Sequence, residues 1–315
     1  MNKKKKSRLI RKIVSVLIFL AGLGIFLYPT ISDAYGKYRD SKLKVKYNTA
    51  INSMESSNRE KELEDAERYN ENLIAKNRQI VSGMQFKPKD EDRTEENDEY
   101  ESLLSSSAAG LMGYLDIPKL AVSLPLYHYT DDEVLNKGIG HMHGSSLPVG
   151  GEGTHAIFIG HRGLPSLKLF SDLDEMKKGD TFYIHVLDRI LAYRVFSVDV
   201  VLPTEVDSLR IEDGRDLVTL VTCTPYGVNT HRILVRAERT EYKGEDTEPS
   251  MMNKIKRTID NKTILGLAVI LIAIIILVLV NRDKKPEKVQ DNAPDMTDRH
   301  TEENGSPADA GDKES

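Results

Sequence analysis

From Ile264 to Val280 the chain runs through seventeen residues with no polar side chain. A second uncharged, mostly apolar stretch, Ile13 to about Tyr28, follows the basic cluster Lys3, Lys4, Lys5, Lys6, Arg8, Arg11 and Lys12. These two segments limit everything between them. At about 1.5 Å of rise per residue the later run spans about 25 Å. That is a little under a hydrocarbon core of about 30 Å, and Lys262 and Arg282 sit where they can snorkel from its ends. The competing reading is a buried core helix, which rarely lacks every polar residue. The N-terminal basic cluster predicts a cytoplasmic start, an extracellular middle and a return to the cytoplasm, where Arg282, Lys284, Lys285 and Lys288 flank the second segment. Lys254, Lys256, Arg257 and Lys262 on the other side weaken the asymmetry. Ser32-Asp33-Ala34 offers a signal-peptide cleavage site, while the long basic run favours an uncleaved anchor.

A formal net charge of -5 does not suggest a nucleic-acid partner. The acid lies mainly in Asp90 to Glu101 and in the tail after Asp291, which lacks large apolar residues and reads as disordered. Tyr47, Ile51 and Met54 fall at helical spacing, as in part do Leu63, Ala66, Leu73 and Ile74. The expected organisation is a cytoplasmic basic segment (1–12), a signal anchor (13–31), a helical region (32–80), a polar loop (81–107), a folded domain (108–240), a linker (241–262), a second transmembrane helix (263–281) and a disordered cytoplasmic tail (282–315).

The domain is mainly β. Met112 to Ile117, His155 to Ile159, Thr181 to Val186, Ile190 to Val200, Leu217 to Thr222 and Arg232 to Ala237 read as short strands bounded by Gly, Pro, Asp or Asn. About one helical turn is expected near Leu167 to Met176. Short strands in this number, punctuated by turns, predict a closed or nearly closed barrel.

The chemistry centres on Cys223, the single cysteine. It ends one apolar run, and Arg232 begins the next beyond the turn Thr224-Pro225-Tyr226-Gly227. Antiparallel pairing would bring thiol and guanidinium to one sheet edge, the arrangement of a cysteine nucleophile with a cationic neighbour. Ile233, Val235 and Ala237 alternate toward the core, which turns Arg232 to the opposite face. His161, just past a strand end in Gly160-His161-Arg162-Gly163, is the expected third member. The plainer readings are a buried inert thiol, a surface arginine and a loop histidine. Metal binding by His141 and His143, with His155, His161 and Cys223 as further ligands, is the rival chemistry. It lacks the paired cysteines usual in structural zinc sites, and no metal or other cofactor is expected. His141 and His143 otherwise read as polar side chains of a Gly-rich loop.

Thr219-Leu220-Val221-Thr222-Cys223 resembles the Thr-Leu-x-Thr-Cys signature of the sortase family. Arg232 and the Gly-His-Arg-Gly stretch complete the likeness. The run Thr222 to Arg232 and the two membrane segments look like class C, pilin-assembling sortases. The resemblance implies an eight-stranded sortase barrel with N-terminal helices, and a catalytic set of Cys223, His161 and Arg232. It implies a transpeptidase that cleaves a Leu-Pro-x-Thr-Gly-type sorting signal through a thioester and passes the acyl group to a pilin lysine. The expected partners are pilin subunits or surface proteins with C-terminal sorting signals, and the lipid bilayer. Thr222, Tyr226 and Asn229 are expected to shape the substrate groove. Many class C sortases carry an Asp-Pro-aromatic lid, and this chain has no Asp-Pro pair; Met84 and Phe86 stand in the corresponding region as candidate plugs. A housekeeping sortase acting on cell-wall precursor, a hydrolytic cysteine protease and a non-catalytic pilus-assembly scaffold remain the alternatives.

Overall fold

The computed structural model describes residues 3–76, 98–105, 110–164 and 167–244, together with Gly266 and Ile270. Met84 and Phe86, most of the linker, the C-terminal tail and all but two residues of the second apolar run lie outside these. The chain divides into two units, 1–264 and 265–315; in the second, Gly266 and Ile270 are helical.

Eight strands close into a barrel. They are β1 (Gly113–Ile117), β2 (Val122–His128), β3 (Ile139–His141), β4 (Thr154–Ile159), β5 (Thr181–Val186), β6 (Arg189–Val201), β7 (Asp216–Thr224) and β8 (His231–Thr240), in the order β1-β2-β3-β4-β7-β8-β6-β5. The pairs β2/β3 and β4/β7 are parallel and the others antiparallel. Closure leaves no open sheet edge, so backbone groups are satisfied around the ring. Alternation along each strand fills the inside with Leu115, Ile117, Phe158, Phe182, Leu220 and Val235, all fully buried.

The six strands expected from sequence are present within one or two residues at most ends, β8 extending further. β2 and β3 were not expected. Pro125 interrupts the first, although it pairs with Tyr114 at the ladder, and the second has only three residues. The helical turn expected near 167–176 is a 3-10 turn at Leu173–Glu175.

Helix α1 (Lys3–Ser53) runs without a break through Pro29, so the anchor and the first part of the helical region are one element. Among the described residues it is the one helix long and apolar enough to cross a membrane, and none of its apolar window is buried in protein. Past Asp33 one face turns to the barrel. Gly36, Tyr47 and Ile51 are buried, and Lys44 pairs with the buried Asp116 at 2.9 Å. Helix α2 (Ser56–Lys76) buries Leu63, Ala66 and Leu73, as their spacing predicted, and its Asn70 bonds both the N–H and the carbonyl of Leu147.

Tyr47 is the cross-brace between helix and barrel. Its hydroxyl accepts from Leu187 N at 2.7 Å and donates to Met112 O at 3.2 Å. Tyr47→Phe would leave a buried amide without a partner. We expect a loss of about 1–3 kcal/mol, read as a lower denaturant midpoint with an unchanged slope.

The polar loop expected at 81–107 contains a packed element. Residues Asp98–Ser102 form helix α3, and Tyr100 in it is wholly buried. Its hydroxyl lies 2.7 Å from His141 Nδ1, and its ring meets His128 and Tyr129 edge-on. Leu103 and Leu104 follow it into the core. One aromatic anchor set among acidic residues left no periodic signal. His141, read as a solvated loop residue, is fully buried at the end of β3 for the same reason: α3 covers it.

Candidate active site

β4, β7 and β8 are consecutive in the ring, and their registers align three positions. Ile159 pairs with Val221, Val221 with Leu234, and Cys223 with Arg232. Two residues past Ile159 stands His161, level with Cys223. Gly160 N donates to Val221 O at 3.1 Å, which carries the β4–β7 pairing past the strand end. Side chains alternate, so Ile157, Ile159 and His161 share a face with Val221 and Cys223 and with Arg232 and Leu234. That face is outside the barrel. Phe158, Leu220, Ile233 and Val235 fill the interior, whereas Ile157, Val221 and Leu234 belong to a separate apolar cluster with Met142, Val206 and Leu209. The structure thus brings His161, Cys223 and Arg232 to one rim on one face. All three are partly exposed.

Cys223 is a free thiol. Arg232 donates through Nη1 to the carbonyls of Asn229 and His231, each at 3.0 Å, which orients the guanidinium at the hairpin mouth. Burial holds the His161 imidazole below the usual histidine range, with the Asp132 carboxylate pulling weakly the other way. The imidazole is therefore mostly neutral at pH 7 and able to accept a proton.

The loop bearing His161 is fastened at several points. Phe170 N donates to His161 O at 3.2 Å, and a Cβ on Gly160 would strike the Phe170 ring at 2.6 Å. Arg162, which the sequence reading did not single out, donates to Thr224 Oγ1 at 2.9 Å and to Asp174 Oδ2 at 2.6 Å. It ties the imidazole loop to the residue after the thiol. Its only sequence signal was its place in the Gly-His-Arg-Gly stretch.

The three residues expected to shape the groove separate. The Tyr226 ring lies over Gly163, which has φ +84° and no room for a Cβ, and its hydroxyl donates to Gly163 O at 3.3 Å. Tyr226 is a strut between two rim loops, with an exposed flank. Asn229 (φ 61°) contributes its backbone carbonyl to Arg232. Thr222 is buried, and its hydroxyl donates to Gly160 O at 2.7 Å, joining β7 to β4 rather than facing outward.

Below the three rim residues the outer face is covered: Ile157, Val221 and Leu234 pack with Val206 and Leu209 of the β6–β7 connection into a buried apolar cluster that supports the rim. The rival metal set does not assemble. His155 is bonded to Arg210 O and Thr219 Oγ1, and His141 to Tyr100 and Ser146 O. Among the described residues no group of three or more His, Cys, Asp or Glu side chains is placed to hold an ion.

A thiol, a partly buried imidazole and an anchored guanidinium on one barrel rim are the groups that cysteine acyl transfer requires. The sortase-domain family model matches residues 115–240. The solved structure of sortase C1 from Streptococcus agalactiae is 42% identical with a TM-score of 0.57, covering 64% of this chain and 99% of that one. A Streptococcus pneumoniae sortase C structure is 38% identical with a TM-score of 0.57, covering 64% and 97%. Sortase A of Streptococcus agalactiae serotype III (strain NEM316) is 25% identical over 247 residues, 75% of this chain and 88% of its own length. The chain belongs to the sortase family of cysteine transpeptidases, in its class C group.

Proposed function

We propose that this protein polymerises pilin subunits at the outer face of a membrane, with Cys223 as nucleophile, His161 as proton carrier and Arg232 as oxyanion donor. One observation carries this reading: Cys223 and Arg232 are register partners on β7 and β8, with His161 level with them just past the end of β4, all on the outer face. His161 accepts the Cys223 thiol proton as the sulfur attacks the threonine carbonyl of a Leu-Pro-x-Thr-Gly-type signal. The tetrahedral oxyanion accepts hydrogen bonds from Arg232. The C–N bond breaks as His161 protonates the departing glycine amine, leaving a thioester on Cys223. A lysine amine then attacks that carbonyl, His161 accepts its proton, and the thiol leaves as the isopeptide bond forms. Class C membership supports a pilin lysine as acceptor, and the description of the Streptococcus pneumoniae neighbour speaks of pilin substrate specificity. The apolar helix α1 suggests membrane anchoring. A second crossing by Ile264 to Val280, with both termini cytoplasmic, completes the topology we propose.

The matches to sortase A proteins, at 24–30% identity, favour a second reading in which a cell-wall precursor amine is the acceptor. The test is intact-mass spectrometry of the full chain mixed with candidate sorting peptides, followed by a pilin lysine peptide or a wall-precursor mimic. A covalent adduct on Cys223, discharged to the lysine peptide, is the expected result. Discharge to the precursor mimic alone selects the second reading, and discharge to water alone makes the protein a hydrolase. Pilus assembly that survives Cys223→Ala would leave only a scaffold.

A further inference from the structure

The course of α1 along the barrel fixes which end of the barrel meets the membrane. The uncharged stretch of α1 runs from Ile13 to Ser32. Twenty helical residues span about 30 Å, the thickness of a hydrocarbon core. Asp33 therefore marks the outer boundary. Tyr28, Tyr35 and Tyr38, all exposed, bracket that level as interfacial aromatics do.

Just beyond it the helix reaches the barrel. Asp33, Lys37 and Asp40 line a cavity of about 300 Å3 together with Pro118 and Ala121 of the β1–β2 turn and Leu169 of the loop that follows His161. Arg39 donates to the Lys137 carbonyl just before β3. About two turns further along, Tyr47 reaches Met112 and Leu187, at the opposite ends of β1 and β5. The helix thus enters at one end of the barrel and leaves at the other. The parallel pairing of β2 with β3, Leu126 opposite Ile139, puts the β1–β2 turn at the end where β3 starts. Gly140 pairs with Ile159, so β4 finishes and His161 stands at that same end. The end nearest the bilayer is the rim of Cys223.

A second observation points the same way. In the described barrel, the exposed large apolar side chains are Val200 (63%), Leu202 (46%), Tyr226 (63%) and Val228 (65%). All four belong to the β6 end and the β7–β8 turn, on the Cys223 rim. The far end instead carries a groove in which Glu67, Glu71, Glu152, Asp216 and Glu238 outnumber Arg189 and Arg239, a net acidic wall that an anionic lipid surface would repel.

We propose that the rim bearing Cys223 faces the bilayer and rests on its headgroup layer, with Val200, Leu202 and Val228 dipping into it. The occupant of the apolar rim is lipid. The headgroup region is about 5–7 Å deep on each side, comparable to one or two turns of α1 past Asp33. A protein so placed works on peptide segments held close to the membrane, and keeps its thiol away from chains free in solution. The placement rests on membrane anchoring by α1; calling the rim catalytic rests on the proposed function.

The test uses the full chain in nanodiscs, in a Cys223→Ala background that removes the native thiol. Single cysteines are introduced as Leu202→Cys, Val228→Cys and, at the far end, Glu152→Cys, each carrying an environment-sensitive fluorophore. Lipids with a nitroxide on the headgroup are then added to the discs. The expected result is loss of emission at 202 and 228 and unchanged emission at 152. Equal loss at all three sites, loss at 152 alone, or loss at none overturns the proposal, the last meaning that the apolar rim stands clear of the headgroups. Val200→Cys replaces either rim variant if it fails to fold. Because the background lacks the thiol, quenching reports placement whether or not Cys223 is the nucleophile; absence of a peptide adduct on the unaltered protein reports the chemistry separately.

Discussion

Arg232→Lys is expected to lower the rate of sorting-peptide cleavage by about 10²–10³-fold, equivalent to about 3–4 kcal/mol of transition-state stabilisation. The register sets Arg232 directly across the ladder from Cys223, and two backbone carbonyls hold Nη1. A guanidinium is planar and has five donors, so one nitrogen can stay tethered while others meet the developing oxyanion. A lysine ammonium is a point charge on a flexible stem. Satisfying Asn229 and His231 draws it away from the carbonyl under attack, and releasing them costs its orientation. The loss should appear in kcat and in kcat/KM together, because the interaction forms only in the transition state. Its melting temperature should stay close to that of the parent protein, since the arginine is half-exposed at a hairpin mouth. Near-normal turnover by the lysine variant would remove Arg232 from the oxyanion role.

The barrel was legible where each strand carries its own alternation and its own turns. β4, β7 and β8 combine apolar periodicity with bounding Gly, Pro or Asp, and these strands bring the three chemical residues together. The pairing of Cys223 with Arg232 followed from hairpin geometry, and the outward face of Arg232 from the inward set Ile233, Val235 and Ala237. The placement of His161 depends on β4 lying parallel to β7, a non-local contact across more than fifty residues that only the family signature implied. Non-local terms hid the rest. β2 contains a proline and β3 is too short to show a period. Tyr100 is a single anchor in an acidic stretch, invisible until α3 docks on His128 and His141. Arg162 looks like any loop arginine until Thr224 and Asp174 receive its two ends. The role expected of Thr222 in the groove fails for a similar reason, because its hydroxyl finds a carbonyl on the neighbouring strand first.

Mild acid is expected to destabilise the fold steeply, through three buried histidines. Burial pushes His128 down to about 4, His141 to about 3 and His155 to about 4. In the unfolded chain each titrates near 6.5. Between those values the unfolded chain binds protons that the fold refuses, so stability is full above pH 6.5 and falls as the pH drops toward 4; below that only His141 continues the decline. The hydrogen bonds explain the refusal. His141 donates from Nε2 to Ser146 O and its Nδ1 accepts from the Tyr100 hydroxyl, so a second proton would charge a wholly buried ring and force that hydroxyl to turn away. His155 is held between Arg210 O and Thr219 Oγ1, with Arg236 adding positive charge nearby. His128 and His155 each contribute a gap of about 3 kcal/mol at the acid end and His141 about 5, and the three together are comparable to the whole stability of an ordinary domain, about 5–15 kcal/mol. Asp40 and Asp216, whose carboxyls burial holds above the usual range, act in the opposite sense at the acid end and soften the fall. Thermal melts of the full chain from pH 7.5 to 4.5 should show a melting temperature that is level above 6.5 and drops with growing slope below it. His155→Gln should flatten that slope by about one third, because one of three comparable protonation gaps is removed. A melting temperature unchanged down to pH 4.5 would mean that these imidazoles take up protons in the folded state, and with them the tight packing of α3 on His128 and His141 would have to be abandoned.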